Sequence, residues 1–368
     1  MRLLKIPGFI LLAVICLLLL GSAQKRVYRM KKPVDTVGFA TKPWQMDSVM
    51  KRINRIQGTE KELALKSAKI TDSTIWKTVI CPHDDYTYVG WLYPAVLQQV
   101  KAKTIIFFGV AHKAKQFKIE NNIVFDSFEK WTEPYGPVPI SNLRAEIIEA
   151  LPKNSYIIHD SLQQAEHSVE AIIPFLQYKN RKIQIISILV PYMPFSRMDE
   201  ISTPLSKVLV KVMKNHNLEW GKDVAIVIST DAVHYGDKDW GGQNYAPYDC
   251  DNDGYTKAKY LESEIINNCL TGDLRTSRIK LFMEYTLKQD DYRAYKWTWC
   301  GRYSVPFGLL TALKMQAILS KDEFLKGTLI GYSTSIAGMS LPVSDIGMGS
   351  TAIATLHHWV GYCGVGYK

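Results

Sequence analysis

Histidine, cysteine and aspartate bind transition metals and move protons near neutral pH. In this 368-residue chain several of them directly follow short apolar runs. Thr78–Ile80 runs into Cys81–Gly90, CPHDDYTYVG, which sets His83 and the pair Asp84–Asp85 just beyond an apolar segment. Ile105–Gly109 leads to His112, and Val224–Ser229 leads to Asp231 and His234 in the turn STDAVHY. Lys296–Gly301 has the same construction and ends in Cys300–Gly301, ahead of a helix-like stretch from Phe307 to Ile318. Open α/β sheets bind ligands outside the carboxyl ends of their strands. Several strand ends, each delivering one His, Cys or Asp, therefore predict a single site along one sheet edge.

The elements that must position these residues are short apolar runs alternating with amphipathic segments. Strands are expected over Thr78–Cys81, Thr104–Gly109, Asn122–Phe125, Ile183–Val190, Val224–Ser229 and Thr328–Ser333. Helices are expected over Tyr93–Val100, Asn142–Ala150, Ser168–Gln177, Met198–Asn215, Tyr255–Asn268 and Phe307–Leu319. Such alternation predicts an α/β fold with a layered, largely parallel central sheet and helices on both faces. Residues 24–74 are polar and Lys-rich, and read as an N-terminal arm plus one or two helices packed on a core domain of residues 75–368.

Residues 1–23 have the order of a secretory signal: Arg2 and Lys5, an apolar run from Phe9 to Leu20, then Gly21–Ser22–Ala23. The run is shorter than the roughly 20 residues needed to span a bilayer. Cleavage after Ala23 and export are expected, with no stable membrane span afterwards; an N-terminal anchor is the alternative. Composition is that of a globular protein, 47% apolar and 22% charged. The net charge of +10 is spread without a dense basic block, which predicts a solvated surface and no nucleic-acid partner. Beyond the leader stand Cys81, Cys250, Cys269, Cys300 and Cys363. An odd number in an exported chain leaves one unpaired or bonded between chains; Cys250 and Cys269 are one pairing open to the rest. Asp249–Gly254 matches the first half of a calcium loop, but position twelve is Tyr260 rather than Glu, so a helix-capping turn is expected. His159, His216 and His357–His358 lack informative spacing and read as structural or surface residues.

The order PHxxYxYxG, GxxH, EHSVE, STDxxHY and CG, closing on Val360–Tyr367 (VGYCGVGY), resembles the Memo family, the protein B component of AmmeMemoRadiSam gene fusions. That resemblance implies a fold similar to class III extradiol dioxygenases. It also implies one transition-metal ion held by His83, His112 and Cys300, the Cys standing where those dioxygenases use a carboxylate. By the same match His234 is the acid/base residue and Asp231 its neighbour. Asp84, Glu166, His167 and Trp131, the last in the loop WTEPYG, are candidates for the surrounding pocket. Packing is the expected role of Trp131. Departures from the family pattern are Asp84–Asp85, Lys113 after His112, and a long polar insert between His234 and Cys300.

Two imidazoles and a thiolate suit iron(II) or copper first and zinc second, rather than magnesium or calcium. A facial triad of two His and one carboxylate leaves positions open for substrate and dioxygen; Cys300 keeps one anionic ligand but a softer one. The expected function is a metal-dependent oxidoreductase, dioxygenase-like, acting on a small phenolic molecule. The alternative is a non-catalytic protein that holds metal, or a peptide or phospholigand, in the same pocket. A functional link to AMMECR-type and radical-SAM proteins follows from the family resemblance alone.

Overall fold

Thr78–Cys81 (β2), Thr104–Val110 (β3), Gln184–Val190 (β8) and Val224–Ser229 (β9) are runs of β-branched and aromatic residues, buried over almost their whole length. Such runs fit strands covered on both faces. The computed structural model, which describes residues 28–238, 240–320 and 322–368, joins them as parallel neighbours in the order β2-β9-β3-β8. The remaining strands of this sheet are Ile123–Phe125 (β4), Tyr156–Ile158 (β7), His234–Gly236 (β10), Gly272–Asp273 (β11), Lys326–Thr334 (β12) and His358–Tyr367 (β13). The path is β11-β12-β13-β2-β9-β3-β8-β4-β7, with β10 pairing β13 off that path. Pairing is antiparallel at β13–β2, β12–β13 and β4–β8, so a parallel centre carries antiparallel flanks. Met30–Lys31 (β1), Lys130–Trp131 (β5) and Val138–Pro139 (β6) form a separate three-stranded sheet.

Alternation along each central strand sends neighbouring residues to opposite faces. Ile80, Ile106, Phe108 and Ile228 join one core, under the helices Phe195–Asn215 and Ser304–Leu319. Val79, Ile105, Phe107 and Val227 join the other, under Pro43–Ile56, Leu92–Leu97 and Ile173–Lys179. Pro43–Ile56 shows how an exposed arm is tied down. Pro43 suits the first helical position, and Met46, Val49, Met50 and Ile53 recur at helical spacing and are buried. Each such side chain contributes about 1.5–3 kcal/mol by leaving water.

Three local expectations differ from the structure. Lys296–Gly301 forms no regular strand; Trp299 makes one isolated bridge, to Val233. Ser168 opens no helix, because its hydroxyl donates to the Val110 carbonyl, and the helix starts at Ile173. Cys81, Cys250, Cys269, Cys300 and Cys363 are free thiols, so Cys250 and Cys269 are not paired. Elsewhere Asp251 caps the helix Asn252–Ile265 by accepting from the Gly254 amide, the turn expected in place of a calcium loop. The expected export signal, residues 1–23, lies outside the described residues. Among the described residues no helix is long and apolar enough to cross a membrane.

Candidate metal centre

Three strand ends and one irregular turn meet at the carboxyl edge of the parallel strands. β2 delivers His83, β3 delivers His112, β9 delivers Asp231 and the turn before Ser304–Leu319 delivers Cys300. One donor atom each from His83, His112 and Cys300 lies within 4.8 Å of the others; a second group, Asp231, His234 and Cys300, meets the same criterion and shares the sulfur. The close approach at Cys300 depends on Gly301. A Cβ there would stand 2.1 Å from Thr230 Oγ1, the atom that accepts the Gly301 amide at 3.0 Å.

The chain settles which nitrogen each histidine turns inward. Ser229 Oγ donates its only proton to the Ser168 carbonyl at 2.5 Å, so it must accept from His83 Nδ1, 2.6 Å away. His83 Nε2 is then a lone pair, 3.6 Å from Cys300 Sγ and 3.4 Å from Asp231 Oδ2. His112 Nδ1 lies 3.0 Å from Glu166 Oε2, while Glu166 Oε1 accepts the Lys113 amide at 2.8 Å. A carboxylate only accepts, so the proton sits on Nδ1 and His112 Nε2 is free for a metal. Carboxylate partners of this kind fix the tautomer and raise ligand basicity.

Cys300 Sγ accepts the Asp231 amide at 3.0 Å. Burial, then the Asp231 charge, pushes this thiol well above the ordinary range. Burial, then His112, pushes His83 well below its usual value. These groups therefore sit as neutral imidazole and neutral thiol until a cation compensates a thiolate. Asp231 is itself held up by burial and by Asp84. Its Oδ1 accepts the His83 amide at 3.0 Å, so it fixes the His83 loop rather than the His234 ring.

The other expected residues fall into two groups. His167 stacks on His112 with ring centroids 5.0 Å apart and 7° between planes, and burial lowers it to about 4. His234 Nε2 is buried without a hydrogen-bond partner, and burial, then His112, lowers it to about 3. Asp84 accepts from the Tyr362 hydroxyl at 2.6 Å and lines a cleft of about 180 Å³ together with His234, Trp240 and His358. Trp131 stands apart: it is buried in the small sheet, its indole donates to Asp126 at 2.8 Å, and it borders neither cleft at the donor set. Its role is packing. His159 caps the turn before Leu162, and His216 pairs with Glu146 on the surface.

A second cavity, of about 480 Å³, opens beside His112 and Cys300 and is walled by Tyr192, Tyr295, Arg302 and Tyr303. The Arg302 guanidinium lies 3.5 Å from the centre of the Tyr295 ring, and its Nε is buried with no hydrogen-bond partner among the described residues. Sequence reasoning passed over Arg302, Ser229, Trp240 and His358. Arg302 was the accessible one, a lone charge two residues after Cys300.

A layered α/β chain whose parallel strand ends gather two histidines and a cysteine beside a cleft defines a class of candidate metal proteins. The model of the Memo-like protein family matches residues 49–351, and the chain belongs to that family. It is similar to a MEMO1 family protein of Pyrococcus abyssi, 25% identical over 262 residues that cover 70% of this chain and 79% of that one. A MEMO1 family protein of Pyrococcus horikoshii is 24% identical over 278 residues, 74% and 84% of the two chains. One of Methanosarcina barkeri is 28% identical over 185 residues, 49% and 63% of the two.

Proposed function

We propose that the protein is a mononuclear metal-dependent oxidoreductase, dioxygenase-like, which takes a small phenolic substrate in the cavity beside Cys300. The observation that carries this reading is the convergence of donor atoms of His83, His112 and Cys300 within 4.8 Å, with His112 and Cys300 on the wall of that cavity. The donor set fits a transition metal: both imidazoles present a lone pair inward, the thiol supplies one negative ligand, and His234 Nε2 is a buried nitrogen with no partner among the described residues. Iron(II) or copper suits these donors first, zinc second. When bound, such an ion supplies a Lewis-acidic and, for iron or copper, a redox-active centre.

The chain's own residues do the rest. Tyr192, Tyr295 and Tyr303 give an aromatic wall, and Arg302 offers charge to a carboxylate or phosphate on the substrate. Arg302, stacked on the Tyr295 ring and joined on the cavity wall by Lys115 and Arg293, can pair with an anionic group through its N–H donors. His234 lines the adjoining cleft, and its imidazole, kept neutral by burial, offers Nε2 as a hydrogen-bond acceptor toward the donor set. Glu166, Ser229 and Asp231 hold the two ligand histidines in register.

Anaerobic purification with metal analysis, followed by oxygen uptake with a panel of phenols, tests the reading. Stoichiometric metal with substrate-dependent uptake supports it. The Arg302 side chain also favours a second reading, a non-catalytic pocket for a phospholigand or an acidic peptide. Tight binding of such a ligand with no oxygen uptake across the panel selects that one. We also place the mature chain outside the cytoplasm, starting near Gln24, because Met1–Ala23 has the order of an export signal. An intact Met1 in the native host's soluble cytoplasmic fraction overturns that placement.

A further inference from the structure

The insert between His234 and Cys300 meets the start of β13 at a second group of metal-ligating side chains, away from the strand ends. Asp237, Cys250 and His357 each offer a donor atom within 4.8 Å of the other two. They come from three places in the sequence: the residue after β10, the start of the polar insert, and the residue before β13. We propose that these three residues bind a zinc-type divalent cation and thereby clip the insert to the edge of β13.

The backbone holds the three donors together before any ion arrives. Gly236 pairs with His358 across β10 and β13, and the Asp237 and Lys238 amides both donate to the His357 carbonyl. Gly236 has φ of +145°, and a Cβ there would meet the His357 carbonyl oxygen at 2.1 Å. Only glycine allows this approach. On the other side the Tyr235 hydroxyl donates to the Asp249 carbonyl at 2.9 Å and accepts the Tyr248 amide at 3.0 Å, which fixes the strand of insert leading to Cys250.

The donor chemistry is specific. A carboxylate, a thiol and an imidazole on partly exposed side chains suit zinc, with a fourth position left to water. His357 Nδ1 already lies 2.8 Å from Asp237 Oδ1. Bonds of roughly 2.0–2.3 Å around a tetrahedral ion hold donors roughly 3.3–3.8 Å apart, so the Asp237–His357 pair at 2.8 Å opens slightly and the wider pairs, none beyond 4.8 Å, close slightly. Cys250 is free for this role because it forms no disulfide.

The clip acts on the strand-end site through position. Trp240 lies between Asp237 and Cys250, with its ring edge-on to His234 at 5.1 Å and 4.0 Å from the His358 ring. Tying both ends of this loop to one ion fixes the wall that covers His234.

Cobalt(II) and zinc(II) titrations of the full chain test the assignment. The Cys300→Ser variant should keep a cobalt–thiolate charge-transfer band at one equivalent, bleached by zinc. The Cys300→Ser/Cys250→Ser double variant should lose it, and Cys300→Ser/His357→Ala should weaken it. In the wild-type background, which needs no change at the strand ends, Cys250→Ser should lower zinc stoichiometry by one. Zinc should also slow proteolysis between residues 237 and 250 of Cys300→Ser but not of the double variant. An unchanged stoichiometry in Cys250→Ser, or a band in Cys300→Ser that survives the loss of Cys250, overturns the proposal.

Discussion

The two donor groups differ in how they are kept ready. At the strand ends His83, Asp231 and Cys300 are almost wholly buried, and each ligand answers to a partner: Ser229 for His83, Glu166 for His112, the Asp231 amide for Cys300. At the insert, Asp237 and His357 are 37% and 45% exposed, and the carboxylate itself is the partner of the imidazole. Burial explains the difference. A polar group withdrawn from water costs about 1–3 kcal/mol unless it is bonded, and more if it is charged. The buried group therefore requires a surrounding shell that sets tautomer and angle, whereas water supplies this freely at the surface. Geometry fine enough for chemistry belongs to the first kind and mechanical fastening to the second.

Cys300→Ser should separate the two groups most sharply. Metal at the strand ends should be lost almost completely, while zinc at Asp237–Cys250–His357 stays; metal analysis of the purified variant reads this directly. Loading should also depend on pH with a definite sign. Because burial holds the Cys300 thiol well above its usual range, binding must expel its proton, and affinity should fall about tenfold for each unit of acidification. A pH-independent affinity would show that sulfur is not a ligand.

Next in size is His234→Ala. Metal content should be nearly unchanged while turnover falls by roughly 10²–10⁴, the range for loss of an acid/base group. Loss of metal instead would move His234 into the ligand set, where its distance to Asp231 and Cys300 also permits it. Glu166→Gln should be milder, lowering metal affinity by about 10–100-fold through the disturbed His112 tautomer; competition with a chelator measures it. The smallest effect is expected from Ser229→Ala. It leaves the His83 Nδ1–H and the Ser168 carbonyl without their shared partner, at a cost of about 1–3 kcal/mol in denaturant unfolding. An unchanged unfolding midpoint would mean that His83 does not need the serine.

The sheet centre was readable from sequence because β2, β3, β8 and β9 are short runs of β-branched and aromatic residues, close to the expected bounds. Lys296–Gly301 misled because its alternating aromatics imitate a strand. Their polar groups go elsewhere: the Trp297 and Trp299 indoles both donate to Glu262 Oε1 at 2.6 Å. Burial raises that carboxyl to about 7, and it replaces a strand partner. No local pattern predicts a carboxylate reaching across from the helix Asn252–Ile265. His357 and His358 escaped for a similar reason. Their relation to Asp237 and Trp240 exists only through the β10–β13 ladder, and pairing between distant segments leaves no mark in either one. Trp131 was a pocket candidate by resemblance alone, with packing as its expected role, and it is buried with its indole on Asp126.

β13 lies between β12 and β2, with Thr78 opposite Tyr367. Because β13 comes last in sequence, β2 and β9 are available to pair before their neighbour is. The edge of β2 that β13 will cover stays open meanwhile, a template for pairing with another nascent chain. Contacts so distant in sequence also close slowly. His83 lies just beyond β2, and Tyr362 of β13 donates to Asp84 beside it, so that contact forms only when β13 docks. A chaperone or a delayed release that shields this edge should raise the yield of folded protein more than any change within the site.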